Sequence, residues 1–262
     1  MSLEVLNGIM IFIIGLIFGS FYNVVGYRIP NNMSIAFPAS HCINCNHKLK
    51  FYELIPVISY IFLGGKCKSC KKRISIVYPF FELLTATLFL LSYLFFGLNL
   101  KFLIAITFIS ILIIISISDI RYYIIPDEVL IIGTILIIIE MIIYALINDL
   151  SLAKEVLIPI LNGAGSFAIL YLFKVLGDFI FKKESLGGGD IKLMFFIGLT
   201  LGFDMSIVTI FIASFIALPL SIISLIKNDN NVLPFGPYLS IAAVIILLTN
   251  LDLNMILNFF TK

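Results

Sequence analysis

The chain has 262 residues, 61% of them hydrophobic and 12% charged, with a formal net charge of +2 and a mean hydropathy of +1.15. Repeated apolar runs of roughly 20 residues, the length that spans a bilayer, exclude a soluble globular protein. The sequence reads as an all-α polytopic membrane protein.

About eight transmembrane helices are predicted, at 6–26, 79–97, 102–118, 128–147, 155–176, 190–203, 205–226 and 237–260. The first apolar run, 9–25, follows Glu4 rather than a basic cluster, and no small-x-small cleavage site comes after it. It is expected to stay as a membrane helix rather than be removed as a signal peptide. The only long polar insert, 28–78, lies between the first two helices and holds eight Lys and Arg against one acid, Glu53. Counted on alternate sides, the face carrying this insert has 14 Lys and Arg, and the other has Lys101, Lys154 and Lys262. Lys/Arg excess marks the cytoplasmic side, so the insert is expected in the cytoplasm and both termini outside.

All four cysteines are in the insert, as Cys42-Ile43-Asn44-Cys45 and Cys67-Lys68-Ser69-Cys70, with 21 residues between the pairs. Two such knuckles form a zinc-ribbon signal. Four thiolates close a tetrahedral site with no open position, so the metal's expected role is structural. A cytoplasmic location disfavours disulfides, and a loop of this size with few apolar side chains needs a staple. His41 and His47 flank the first knuckle and are read as surface residues. The surrounding basic residues suit anionic lipid headgroups; no aromatic interleaving points to nucleic acid. The apolar patch 54–63 is too short to span and is expected to pack back or dip into the interface.

Two carboxylates stand out. Gly187, Gly188 and Gly189 lead into Asp190 and then an apolar run, which reads as an unwound, crowded approach to a helix headed by Asp190. Asp119 ends another apolar run. Charged residues in such places usually pair or act. By the predicted topology Asp119 ends an inward-running helix and Asp190 begins an outward-running one, so both lie at the cytoplasmic face. Asp127 is read as the cap of the fourth helix. Lys192 is read as snorkelling to headgroups or holding a substrate carboxylate.

Taken together, the chain resembles the bacterial prepilin peptidases (type IV leader peptidase/N-methyltransferases) in six segments in order. These are Gly19-Ser20-Phe21-Tyr22-Asn23-Val24 with Arg28-Ile29-Pro30, the cysteine knuckles, Ile74-Ser75 with Tyr78-Pro79-Phe80-Phe81-Glu82, Asp119 with Ile125-Pro126-Asp127, Gly187-Gly188-Gly189-Asp190-Ile191-Lys192-Leu193, and Pro234-Phe235-Gly236-Pro237-Tyr238. Val77 departs from the pattern, since relatives usually carry Arg there.

The resemblance implies a membrane aspartic peptidase with Asp119 and Asp190 as catalytic residues and Gly187, Gly188, Gly189 and Lys192 in the active-site loop. One carboxylate takes a proton from water while a second, protonated carboxyl polarises the scissile carbonyl. The only histidines are in the cysteine insert, so no Ser-His or Cys-His pair competes. The implied domains are a first helix at 1–27, a zinc-binding insert associated with methyl transfer at 28–78, and a peptidase bundle at 79–262. The implied substrates are type IV prepilin or pseudopilin precursors in the inner membrane. The second implied activity is N-methylation of the new N-terminus with S-adenosyl-L-methionine as donor, for which Glu82 and Asn23 are candidates. A presenilin-like intramembrane protease and a proton-coupled transporter are the alternatives. The insert and the Tyr-Pro-x-x-Glu segment argue against the first. Carboxylates at one face and the lack of a repeat argue against the second.

Overall fold

The computed structural model describes residues 2–183, 186–226, 233–253 and 255. Residues 184–185 and 227–232 lie outside them, as does most of the stretch beyond 253. The chain forms two compact units, Met1–Phe102 and Leu103–Lys262.

In the first unit, helices α1 (Leu3–Arg28) and α3 (Val77–Phe96) pack along most of their length, with a short helix α2 (Ile58–Phe62) in the connection. Hydrophobicity does not drive helices together in lipid; close approach through small residues does. A Cβ built on Gly15 would lie 2.6 Å from the Ala86 Cα, and one on Gly19 2.7 Å from the Glu82 Cα. These two glycines therefore set the helix separation. Asn23 ties the pair again, its Nδ2 donating to the carbonyls of Gly19 and Tyr78.

The insert contains two similar knuckles. Each starts at a cysteine whose N–H bonds five residues ahead, Cys42 to the His47 carbonyl and Cys67 to the Lys72 carbonyl. Each turns through a left-handed residue, Asn46 or Lys71. Glu53 is buried and accepts from the Lys50 N–H at 2.8 Å, with His47 Nε2 at 3.2 Å. The Lys50 N–H first, then His47, hold its carboxyl below the usual range. His47 thus engages Glu53 rather than joining the cysteines. The patch 54–63 forms the turn and α2, leaving Ile61 and Phe62 exposed.

The second unit contains α4 (Leu100–Tyr122, which begins at the end of the first unit), α5 (Asp127–Ile147), α6 (Ile158–Phe181), α7 (Gly188–Leu201), α8 (Phe203–Ile226) and α9 (Gly236–Thr249). A five-residue π-turn, Ala153–Leu157, leads into α6. The most enclosed helices of this unit are α4 and α7: Phe108 of α4 stacks on Phe196 of α7, and Ile109, Ile115, Ile117, Leu193, Met194 and Ile197 are fully enclosed.

All eight expected helices are present. Among the described residues, six helices are long and apolar enough to cross a membrane. Helices α7 and α9 have 14 described residues each, about 21 Å at a rise of 1.5 Å per residue. That is shorter than a hydrocarbon core of about 30 Å. Helix α9 stops at Thr249, where Asn250 takes the left-handed conformation, short of the expected end at 260; most of the stretch beyond 253 lies outside the described residues.

Candidate active site

Asp119 lies in the last turn of α4. The helix runs four residues past its expected end, because this carboxylate is buried rather than delivered to solvent. Tyr123, in the left-handed conformation, closes the helix by donating its N–H to the Asp119 carbonyl. The Ser118 hydroxyl donates to the Ile124 carbonyl at 2.6 Å and pins the turn that follows. Ile125 is thereby set into the centre of the site.

Three segments meet at Ile125. A Cβ on Gly189 would lie 2.8 Å from the Ile125 Cβ, and one on Gly236 would lie 3.2 Å from its Cδ1 and 2.7 Å from Asp119 Oδ2. The start of α7 and the start of α9 can close on the α4–α5 turn only because both positions are glycine. Gly236 also donates its backbone N–H to Asp119 Oδ2 at 3.0 Å.

Asp190 is the third residue of α7. Gly188 and Gly189 are already helical and Gly187 is the capping residue, so the expected unwound approach is replaced by a helical first turn. The crowding is real at Gly189 and at Gly187, whose Cβ would sit 3.0 Å from Asp190 Oδ2, but Gly188 has open space. The Gly187 N–H bonds to the Asp190 carboxylate, which also feels the charge of Asp119. Asp119 and Asp190 are 6% and 8% exposed, so the two carboxyls share one shielded environment. Asp190 Oδ1 is buried with no hydrogen-bond partner among the described residues.

Lys192 does not reach toward headgroups alone. Its Nζ sits 2.8 and 2.7 Å from the two carboxylate oxygens of Asp127. Asp127 is the first residue of α5, behind Pro126, rather than its cap. This half-exposed ion pair links the segments that follow the two buried aspartates. From it a mostly apolar cavity of about 570 Å³ runs between α5, α6 and α7, past Leu130, Thr134, Phe167 and Phe195.

Sequence reasoning missed Gly236, Ile125 and Ser118 as members of the site. The signal for Gly236 was its place in Pro234-Phe235-Gly236-Pro237, where a glycine between prolines opens a helix.

The other candidates lie in the first unit. The sulfurs of Cys42, Cys45, Cys67 and Cys70 are all within 4.8 Å of one another, and the Cys42–Cys70 and Cys45–Cys67 pairs are 3.9 Å apart. Tetrahedral thiolates at about 2.3 Å from a zinc ion would stand about 3.8 Å apart, so this cluster could hold a metal ion. The Asn44 N–H draws the Cys42 thiol down to about 6, whereas burial and the neighbouring thiols push Cys70 up to about 11. Asn23 and Glu82, 2% and 8% exposed, are brought to the same stretch of the α1–α3 contact. Glu82 Oε2 accepts from the Val57 N–H at 2.7 Å, and the Ser20 hydroxyl also bonds to this carboxylate.

Comparison with known proteins places both units. Residues 13–96 match the Bacterial Peptidase A24 N-terminal domain, and residues 106–222 match the Type IV leader peptidase family. Among curated proteins, the Prepilin leader peptidase/N-methyltransferase of Bacillus subtilis (strain 168) is 34% identical, over 97% of each chain. Proteins of the same name from Pseudomonas aeruginosa and Pseudomonas putida are 30% and 28% identical, each over 90% of this chain and 88% of theirs. No solved structure matches the chain significantly. With full-length similarity at that level and both of its units matched, the chain belongs to the type IV leader peptidase family.

Proposed function

We propose that this protein is a bifunctional membrane enzyme that removes the leader peptide from type IV prepilins or pseudopilins and N-methylates the residue exposed. The observation that carries the peptidase half is the joining of Asp119 and Asp190, 71 positions apart in the sequence, in one buried environment. Two carboxyls at short range do not both ionise comfortably. One then serves as base toward the attacking water, and the other, protonated, donates to the scissile carbonyl. Gly236 and Gly187 orient the carboxylates through their N–H groups. The active site faces the cytoplasm of the inner membrane, where a basic leader stays outside the bilayer and an apolar helix stays within it. No feature favours the presenilin-like or transporter reading.

The four cysteines are proposed to bind zinc and fold the insert. For the second activity, S-adenosyl-L-methionine supplies an electrophilic methyl group. Asn23 and Glu82 place acceptor oxygens in an apolar helix pair, which fits a cationic centre there.

The decisive test is cleavage of a precursor peptide by purified protein in nanodiscs. Wild type is expected to cut at the leader junction. Asp119→Asn and Asp190→Asn, expressed and inserted normally, should each lose roughly 10²–10⁴-fold in rate. Substantial turnover by either variant removes that aspartate from the pair.

A further inference from the structure

Val57 has φ +61° and ψ −49°, and the next N–H, of Ile58, bonds back to the Pro56 carbonyl at 2.5 Å. This is the positive-φ γ-turn, which is rare and strained, and doubly unfavourable for a β-branched residue. Strain of this kind gathers where a site over-determines the backbone. Here the determining group is Glu82, whose carboxylate takes the Val57 N–H at 2.7 Å.

Helical side chains lean toward the N-terminus of their own helix. Asn23 on α1 leans back toward Gly19, and its Nδ2 reaches the Gly19 carbonyl. Gly19 lies against the backbone of Glu82. Glu82 on antiparallel α3 leans back toward Tyr78, whose carbonyl also accepts from Asn23 Nδ2. The amide and the carboxyl therefore belong to facing turns of the two helices, with the Ser20 hydroxyl on the carboxylate. Asn23 spends both donor contacts on backbone carbonyls and keeps Oδ1 buried, with no partner among the described residues. An unpartnered acceptor in an apolar helix pair is costly, and a ligand with several N–H donors would satisfy both it and the carboxylate on the facing turn.

We propose that Asn23 Oδ1 and the Glu82 carboxylate hold the α-amino group of the cleaved substrate, and that Glu82 takes its proton before methylation. This rests on the bifunctional reading above. The ammonium gives one proton to Glu82. The neutral nitrogen then attacks the methyl carbon of the sulfonium donor. The N–C bond forms as the C–S bond breaks, the bonding pair stays on sulfur as a neutral thioether, and the product is a methylammonium. Glu82 returns its proton to solvent. The Val57 N–H fixes the carboxylate orientation and so couples this site to the insert.

The test uses the full chain in nanodiscs, with leader cleavage and methyl incorporation followed separately by mass spectrometry. Failure of wild type to cleave would refute the bifunctional reading; the outcomes below concern only the amine site. Glu82→Gln should cleave within threefold of wild type and lose methylation at neutral pH by roughly 10²-fold or more. Its residual methylation should climb about tenfold per pH unit until the α-amine pKa of about 7.7–8.0, because solvent then supplies the neutral amine. Wild type should show a flatter profile, Glu82→Asp should recover part of the rate, and Asn23→Ala should raise KM for pre-cleaved peptide more than it lowers kcat. Binding of radiolabelled S-adenosyl-L-methionine should be unchanged in Glu82→Gln. Wild-type methylation in that variant, a pH profile parallel to wild type, or loss of donor binding each overturns the proposal, the last by assigning the carboxylate to the donor. If Glu82→Gln also loses cleavage, the double variant Val57→Gly/Glu82→Gln relieves the strained turn and is read the same way. Loss of cleavage in both makes Glu82 a structural tie and overturns the proposal.

Discussion

Replacing Gly236 with alanine tests whether backbone approach, rather than the carboxylates alone, makes the proposed peptidase site. The added Cβ would stand 2.7 Å from Asp119 Oδ2 and 3.2 Å from Ile125 Cδ1. A carbon–oxygen contact relaxes to about 3.3 Å, so the carboxylate or the start of α9 must retreat by about 0.6 Å. Catalytic groups work within about 0.5 Å of their productive geometry, and a displacement near 1 Å costs about 10²-fold in rate. The Gly236 N–H bond to Asp119, 3.0 Å long, is lost with the same movement. We expect kcat for leader cleavage to fall roughly 10²-fold, with KM little changed. The assay is steady-state cleavage of a precursor peptide in nanodiscs, with thermal unfolding measured in parallel. Gly188→Ala is the control: among the described residues its Cβ meets nothing within 4 Å beyond its chain neighbours and its own helix backbone, so it should cleave normally. Gly236→Ala within threefold of wild type, at an unchanged unfolding temperature, would refute the geometric argument.

Other outcomes follow from the same contacts. Elemental analysis of carefully reduced protein should find one zinc per chain, and Cys67→Ser should abolish it; metal-free wild type would contradict the ribbon. Asp127→Asn should keep most of the cleavage rate, since its partner Lys192 is half exposed and such pairs contribute about 0–1 kcal/mol; a loss like that of Asp119→Asn would move Asp127 into the catalytic pair. Gly19→Leu puts a side chain into the Glu82 backbone and should destabilise the α1–α3 pair by about 1–3 kcal/mol or more, read as a lower unfolding temperature; an unchanged temperature would contradict the close packing.

The helices were legible because apolar runs of bilayer length are a coarse signal that survives loss of detail. Their ends were less so. The apolar run placed the end of α4 at 118, beside Asp119, yet the helix continues to Tyr122 with Asp119 buried. The glycines before Asp190 suggested an unwound, crowded approach; the crowding is met at Gly187 and Gly189, but the backbone there is already a helical first turn. The four-cysteine cluster was readable from spacing alone, because knuckle geometry is local. The bond from Gly236 to Asp119 joins residues 117 apart, and no local pattern carries such a pairing. The Val57 turn was hidden for a different reason: a valine there contradicts local preference, and only the Glu82 carboxylate 25 residues on makes sense of it.

A buried carboxylate needs hydrogen-bond donors, and inside an apolar helical bundle nearly all backbone N–H groups are consumed by the helices themselves. The exceptions are the first few N–H groups of each helix. Asp119 takes one from Gly236, the first residue of α9, and Asp190 takes one from Gly187, the residue capping α7. Two helix starts must therefore face the site, which places it at an end of the bundle and not at its middle. Glycine is required at these starts because any side chain would hold the donors away from the carboxylates or from the Ile125 turn. The same constraint separates a peptidase from a transporter. A transporter carries its carboxylates at mid-membrane, where helices must be broken to free backbone groups. Here α4 and α7 run unbroken, and the carboxylates sit where intact helices begin and end. On the proposed function, a peptide bond would reach such a site where the substrate's own helix also begins, at the junction between a polar leader and an apolar span.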